Sequence, residues 1–322
     1  MEKPVILPTD ILVRVRACGI CGSDLHSYKL ELFPEISMEV PQGRIPGHEF
    51  GGDVVEVGRE VAGIVVGDRV SALTMGAMAE YVAVSPAFLN LNVYRLPPEV
   101  SYEEAATLEP LSTSLHAARV GKPVDGETAV VFGAGIIGLG VIQCLKALDI
   151  KFARIISVDM SDSRLEVAKE LGADAGINAG KEDVQERITE LAGTVPFLLM
   201  PDRSAPAVDI AYDCVGYVME HPGTPAFEHA LNAVREAGRV VVAGAFEEPV
   251  KVDLMPLMGK QLQVFGSLGY MPDDVIEALE LIRSKKVDRM RLITHEFPID
   301  QTMEGFETQL NAAESVKVLI KP

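Results

Sequence analysis

The sequence predicts an α/β protein in two parts, a small irregular β-barrel followed by a doubly wound parallel sheet. Three observations carry this. The first third is a series of short alternating strands cut by glycine and proline. From about Val130 strands alternate with helices, the pattern of a parallel sheet with crossover connections. The first strand of that second part runs straight into a glycine pattern that opens a helix.

Taken in order, "ILVRVRA", "GGDVVEVG", "VVGDRVSAL" and "MAEYVAVS" read as strands of the first part. In the second, "TAVVFGAG" is a strand and "IIGLGVIQCLKALD" a helix, then "RIISVDM" a strand and "SRLEVAKELG" a helix. The helix "EDVQERITELAG" precedes the strand "VDIAYDCVG", and the helix "PAFEHALNAVREAG" precedes the strand "RVVVAGA", with "LQVFGS" a further strand. The amphipathic helix "PDDVIEALELIRSKKV" and the mixed segments "THEFPIDQTMEGFETQL" and "SVKVLIKP" close the chain. The apolar, proline-bearing stretch "GTVPFLLMPDRSAPAVD" fits poorly and reads as a surface-packed insertion or an oligomer contact.

A chain of 322 residues that is 48% hydrophobic is ordinary globular material for two domains. The net charge of −18 argues against nucleic acid or an anionic membrane surface as partner, since both require clustered Lys and Arg. No apolar run is long enough to span a bilayer, and "MEKPVILPTD" lacks a signal-peptide pattern. The four cysteines are Cys18, Cys21, Cys144 and Cys214, a usage that fits a reducing cytoplasm rather than a disulfide framework.

Gly133, Gly135 and Gly138 follow the G-x-G-x-x-G spacing at a strand-to-helix turn. Gly133 permits the turn, Gly135 lets backbone approach a pyrophosphate, and Gly138 lets helix and sheet pack closely. The amides of the helix start, from Ile136 and Ile137 onward, face the phosphates. Asp159 ends the second strand about 20 residues further on, where a carboxylate binds the ribose hydroxyls of NAD and repels the extra phosphate of NADP. Arg164 lies just beyond; with Asp159 in place it does not by itself make a phosphate pocket.

A nucleotide domain needs a chemical partner. "RACGICGSDLH" offers a Cys18/Cys21 pair, "GRIPGHEFGG" offers His48 and Glu49, and "AATLEPLSTSLHAAR" offers Glu109 at a helix start. These are suitable ligand types for a catalytic zinc. No second C-x-x-C completes a closed structural site. Spacing does not choose between Cys18 and Cys21.

The chain resembles the medium-chain, zinc-type alcohol dehydrogenase family, and within it the polyol (sorbitol), butanediol and threonine dehydrogenase branch. The motifs that carry the resemblance are "ACGICGSDLH", "PGHEFGGDVVEVG", "GDRV", "AEYV", "LPPEVSYEEAATLEPLSTSLHA", "VVFGAGIIGLG" and "AYDCVG", in family order over most of the chain. It implies a GroES-like catalytic domain over 1–115 and 270–322, and a Rossmann NAD-binding domain over 116–269. By resemblance Cys21 and His48 bind the zinc, Cys18 is a neighbour, and Glu49 or Glu109 completes the site, the two exchanging on the metal during turnover. Ser23 and His26 carry a proton relay, a hydroxyl and an imidazole being suited to that work. Cys214, Val215, Gly266 and Ser267 line the cofactor cleft. His116, His221, His229 and His295 have no such partners and read as structural or surface residues.

The implied activity is zinc- and NAD-dependent oxidation of a secondary alcohol or polyol by a cytoplasmic homodimer or homotetramer. The alternatives are a zinc-free NAD(P)H quinone or enone reductase, against which the Cys, His and Glu set argues, and an inactive NAD-binding relative. Two departures stand out. The segment before "ILVRV" is short, and "GDRVSALTMGAMAEYV" lacks a lobe that in many relatives holds a structural zinc, so one catalytic zinc and no structural one is expected. Leu32 and Phe33, in the long segment after His26, are candidate pocket residues.

Overall fold

The computed structural model describes residues 2–29, 45–198, 200–217 and 223–322. Leu32, Phe33 and His221 therefore lie outside the described residues. The chain divides into two compact units, Met1–Ser112 with Tyr270–Pro322, and Thr113–Gly269. The first division falls inside the helix Leu108–Val120.

The first unit is built on a sheet in the order Ile293–Pro298, Lys317–Lys321, Ile11–Gly19, Glu49–Val57, Arg69–Ala72 and Val93–Arg95, with Tyr81–Val84 also paired to Ile11–Gly19. All pairings are antiparallel except Ile293–Pro298 with Lys317–Lys321. The strand Ile11–Gly19 is the spine. Val13 and Val15 turn into the core while Arg14 and Arg16 turn out, the alternation expected of a strand with one wet face. Arg16 reaches Asp53 on the neighbouring strand at 2.7 Å, and the Tyr102 hydroxyl donates to the same carboxylate.

The spine's register positions the chemistry. Gly19 lies opposite Glu49 on one side and Leu319 on the other. The end of the spine, the start of Glu49–Val57 and the start of Lys317–Lys321 thus meet at one corner. Between Arg69–Ala72 and Tyr81–Val84 only residues 73–80 intervene, turned at Gly76 with φ +95°.

The second unit holds a six-stranded parallel sheet in the order Gln263–Gly266, Val234–Val242, Val208–Asp213, Thr128–Phe132, Arg154–Asp159, Ala175–Asn178. Its central strand Thr128–Phe132 is buried at every residue, which explains its unbroken apolar run. Local details differ from the sequence reading or add to it. The helix expected through Gly238 ends at Ala233, and Val234–Val242 is already strand; Ala237, with φ +58°, sits where its register against Val208–Asp213 shifts. The short strand Ala175–Asn178 was not singled out. The awkward apolar stretch folds as its own hairpin, Thr194–Pro196 with Ser204–Pro206.

Candidate metal centre and dinucleotide site

The spine strand stops at Gly19, and the helix Gly22–Lys29 starts two residues later, leaving Cys21 at the junction. The Asp24 carboxylate fixes that junction. It accepts from the Cys21 amide at 2.9 Å through Oδ2 and from the Gly47 amide at 3.2 Å through Oδ1. That oxygen also lies 4.0 Å from His48 Nδ1, which has no hydrogen-bond partner of its own. Gly47 holds φ +92°, and a Cβ there would stand 2.7 Å from both Cys18 Sγ and Met78 Cγ. Glycine is therefore what lets the chain turn His48 toward Cys21.

Glu49, next in sequence, opens the neighbouring strand. Among the described residues, Cys21, His48 and Glu49 form the group of metal-binding side chains, with ligand atoms all within 4.8 Å of one another. Cys18 is not in that group; it is buried, with its thiol donating to the Gly19 carbonyl at 3.6 Å. Gly19 makes room for the Glu49 carboxylate, since a Cβ there would meet Glu49 Oε2 at 2.4 Å. Glu49 Oε2 is bound by Lys317 Nζ at 2.7 Å, and Glu49 Oε1 is buried with no hydrogen-bond partner.

Glu109, in the first turn of the helix Leu108–Val120, does not join the close group. It is nevertheless felt there. Burial, and next the negative charge of Glu49, push its carboxyl up to about 7. The Cys21 thiol is pushed up by burial first and by Glu49 second. Burial raises Asp24 too, against the opposing pull of His48. Burial pushes the Lys317 ammonium down, but Glu49 and Cys21 more than offset this and leave it raised. So many acids desolvated together are costly without a cation. An unpartnered carboxylate oxygen beside a thiol and an imidazole fits a zinc ion, the donor set suiting that metal.

Ser23 and His26 lie on the helix Gly22–Lys29, three residues apart and hence on one face; Ser23 is exposed and His26 half-buried. The sequence reading missed Asp24 and Lys317. Asp24 stands inside the quoted cysteine motif, three residues after Cys21, at a position where an acid caps a helix start. Lys317 interrupts "SVKVLI", and a lysine inside an apolar strand signals a buried partner.

The second unit carries the dinucleotide turn. Gly133 ends the strand Thr128–Phe132 with φ +91°, and a Cβ there would strike Val215 Cγ2 at 2.8 Å. Gly138 packs so close that a Cβ would stand 1.8 Å from the Gly133 carbonyl oxygen. The helix Ile136–Ala147 has Gly135 at its cap with no side-chain hydrogen bond, so no side chain caps its first turn, at Ile136, Ile137 and Gly138, the kind of helix start that suits an anion. Asp159 accepts from the Ala134 amide at 2.6 Å and from the Ser161 amide at 2.8 Å, tying the strand end to the glycine turn. Arg164 is half-buried beside them; burial lowers its guanidinium, opposed by Asp159. The Cys214 amide donates to the Phe132 carbonyl at 2.9 Å, and the Ser267 amide to the Val242 carbonyl at 2.9 Å. Ser267 Oγ is buried without a hydrogen-bond partner, next to exposed Gly266. Of the remaining histidines, His229 stacks on Phe132 and His295 on Phe297, and His116 lies in the helix Leu108–Val120.

Comparison with known proteins bears on both sites. Residues 7–98 match the alcohol dehydrogenase GroES-like domain, and residues 137–284 match the zinc-binding dehydrogenase family. The chain is 32% identical to L-idonate 5-dehydrogenase of Vitis vinifera, over 98% of this chain and 90% of that protein. It is 31% identical to sorbitol dehydrogenase of Arabidopsis thaliana, over 98% and 89%. Among solved structures, 2R,3R-butanediol dehydrogenase of Bacillus subtilis superimposes with a TM-score of 0.82 at 29% identity, covering 100% of this chain and 95% of that one. The zinc-free reductase reading is not favoured by these relatives. Among the described residues, no helix is long and apolar enough to cross a membrane. A GroES-like unit with a thiol–imidazole–carboxylate corner and a parallel-sheet unit with a dinucleotide turn make this chain a member of the zinc-type medium-chain alcohol dehydrogenase family, an oxidoreductase of the alcohol and polyol dehydrogenase branch.

Proposed function

We propose that the chain oxidises a secondary alcohol or polyol with NAD, using one zinc held by Cys21, His48 and a glutamate. The observation that carries this is the convergence of the Cys21, His48 and Glu49 ligand atoms within 4.8 Å of one another, with one Glu49 oxygen, Oε1, buried and without a hydrogen-bond partner among the described residues. When bound, zinc supplies a Lewis acid for the substrate oxygen, and the nicotinamide an acceptor for the hydride of the carbinol carbon.

The chain's own residues do the rest. Asp24 fixes Cys21 and the turn before His48. Ser23 and His26, on one helix face, offer a hydroxyl and then an imidazole to carry the substrate proton outward. Glu109, pushed up to about 7, supplies a second carboxylate beside the first and fits the exchange of glutamates expected from the resemblance. Asp159 supports NAD over NADP: its oxygens, accepting from the Ala134 and Ser161 amides, hold it at the turn, and its charge repels a ribose phosphate. The buried, unpartnered Ser267 hydroxyl and the backbone at Gly266, Cys214 and Val215 suit the nicotinamide end.

The names of the relatives point to sugar alcohols and sugar acids as the first substrates to try. Among the described residues the strand Gln263–Gly266 is the last of its sheet, flanked by exposed Leu254, Met255 and Met258, which favours a two-fold homodimer joined there. Free cysteines, one of them a proposed ligand, suit a reducing compartment such as the cytoplasm.

The deciding experiment is a screen of secondary alcohols and polyols for NADH and NADPH production, with zinc content measured on the same protein. Turnover of at least one polyol with NAD, and about one zinc per chain, is expected. Full zinc loading with no turnover, or preference for NADP, would overturn the corresponding part.

A further inference from the structure

The ion pair between Glu49 and Lys317 is an unusual neighbour for a metal. Both side chains are 1% exposed, and Nζ lies 2.7 Å from Oε2. Nζ also donates to the Ile20 carbonyl at 2.6 Å, so the lysine is anchored to the same chain end that presents Cys21. It arrives from the far end of the sequence, at the first residue of the strand Lys317–Lys321, and the register of that strand against Gly19 fixes its place.

An outer partner of a ligand carboxylate orients it by hydrogen bonding, and a neutral donor does so without opposing the metal. An ammonium differs in sign. It competes with a dication for the same carboxylate, and with no water between them the two cations repel at close range. Here the competition is resolved by oxygen: Lys317 occupies Oε2, and Oε1 has no hydrogen-bond partner.

We propose that Lys317 is a positioning residue that restrains Glu49 to one-oxygen coordination, so that the metal is held more loosely than its ligands alone would hold it. The proposal rests on the zinc reading above and deepens it. Glu49 then acts as a displaceable ligand, because its second oxygen cannot clamp the metal while the lysine holds it. Removing an ordinary outer partner weakens metal binding by about 10–100-fold. Removing this one is expected to strengthen it.

A double-mutant cycle tests this on the full chain. Zinc affinity is measured by competition with a chromogenic chelator on metal-stripped wild type, Lys317→Met, Glu49→Gln and the double variant. Cobalt absorption spectra of the same proteins report the coordination. Lys317→Met is expected to bind zinc about tenfold more tightly than wild type and to shift the cobalt spectrum. In the Glu49→Gln background, where only the direct repulsion between the two cations is relieved, the same change is expected to have a clearly smaller effect. Lys317→Gln, which keeps a donor but removes the charge, serves if Lys317→Met does not fold, and is expected to tighten binding likewise. Unchanged or weaker zinc binding in a folded neutral variant, or an equal gain in the Glu49→Gln background, would overturn the proposal. A wild type that takes up no zinc would overturn the zinc reading, and this proposal with it, and is distinct from either result.

Discussion

Where the turn around Gly133 offers bare backbone amides, the corner around Cys21 offers side chains. The turn is local: Gly133, Gly135, Gly138 and the helix start all fall within a few residues, and Asp159, distant in sequence, ties in through Ala134. The corner is assembled from Cys21, Asp24, His48, Glu49, Glu109 and Lys317, drawn from both ends of the chain. In the turn, glycine removes volume so that partial charges meet a ligand. In the corner, burial concentrates full charges until a cation is needed to balance them. A ligand of either site thus meets a preformed polar surface, but of the two it is the corner that gathers several buried acids for its ligand to offset.

The difference sets the sizes of the expected effects. The largest belongs to the corner. Cys21→Ser is expected to lose zinc and dehydrogenase activity together, whereas Cys18→Ser, outside the ligand group, keeps both; metal analysis and NADH production on the purified variants give the answer. Equal loss in the two would mean the cysteines act as a pair.

The turn is expected to break next. In Gly138→Ala the new methyl would stand 1.8 Å from the Gly133 carbonyl oxygen. Overpacking of that severity costs about 3 kcal/mol or more, equivalent to a loss of about a hundredfold in NADH affinity if it falls on the binding loop. NADH fluorescence titration reads it. Wild-type affinity in this variant would mean that the helix start can shift to admit a side chain.

A smaller effect tests whether buried charge is confined to the metal corner. Asp213, at the end of the strand Val208–Asp213, is pushed up to about 6 by burial, although the Val215 and Gly216 amides pull the other way. Its folded value lies above the ordinary carboxyl value near 4. Its contribution to stability is therefore fully present below about pH 4 and lost as pH rises through about 6. Asp213→Asn, which keeps an acceptor for both amides, should be stabilised relative to wild type by about 2–3 kcal/mol at pH 7.5 and by only about 1 kcal/mol at pH 4.5. Thermal melts at the two values decide; a gain that does not depend on pH would mean that ionisation of Asp213 costs nothing.

The same contrast explains what the sequence could show. The dinucleotide turn was legible because its requirement is steric and contiguous: a strand, a glycine pattern, a helix. The parallel sheet was legible from the alternation of elements, but the short strand Ala175–Asn178 and the end of the helix Ala226–Ala233 were not, since each is settled by pairing with a neighbour rather than by local pattern. In the corner, residue types alone left Cys18 and Cys21 equivalent, and the resemblance rather than the spacing favoured Cys21. The geometry adds what neither could: Gly19 and Gly47 as the spaces into which Glu49 and His48 turn, Asp24 as their fixed point, and Lys317 as a buried counter-charge brought in by strand register. Charge partners distant in sequence leave only a weak trace, here one lysine in an apolar strand.

The central claim is that one zinc sits on a single thiolate with imidazole and carboxylate ligands. X-ray absorption at the zinc edge of the purified protein tests it directly. The account predicts one sulfur at about 2.3 Å and the remaining ligands nitrogen or oxygen at about 2.0–2.2 Å. Two or more sulfurs per zinc, or a shell with none, would contradict it.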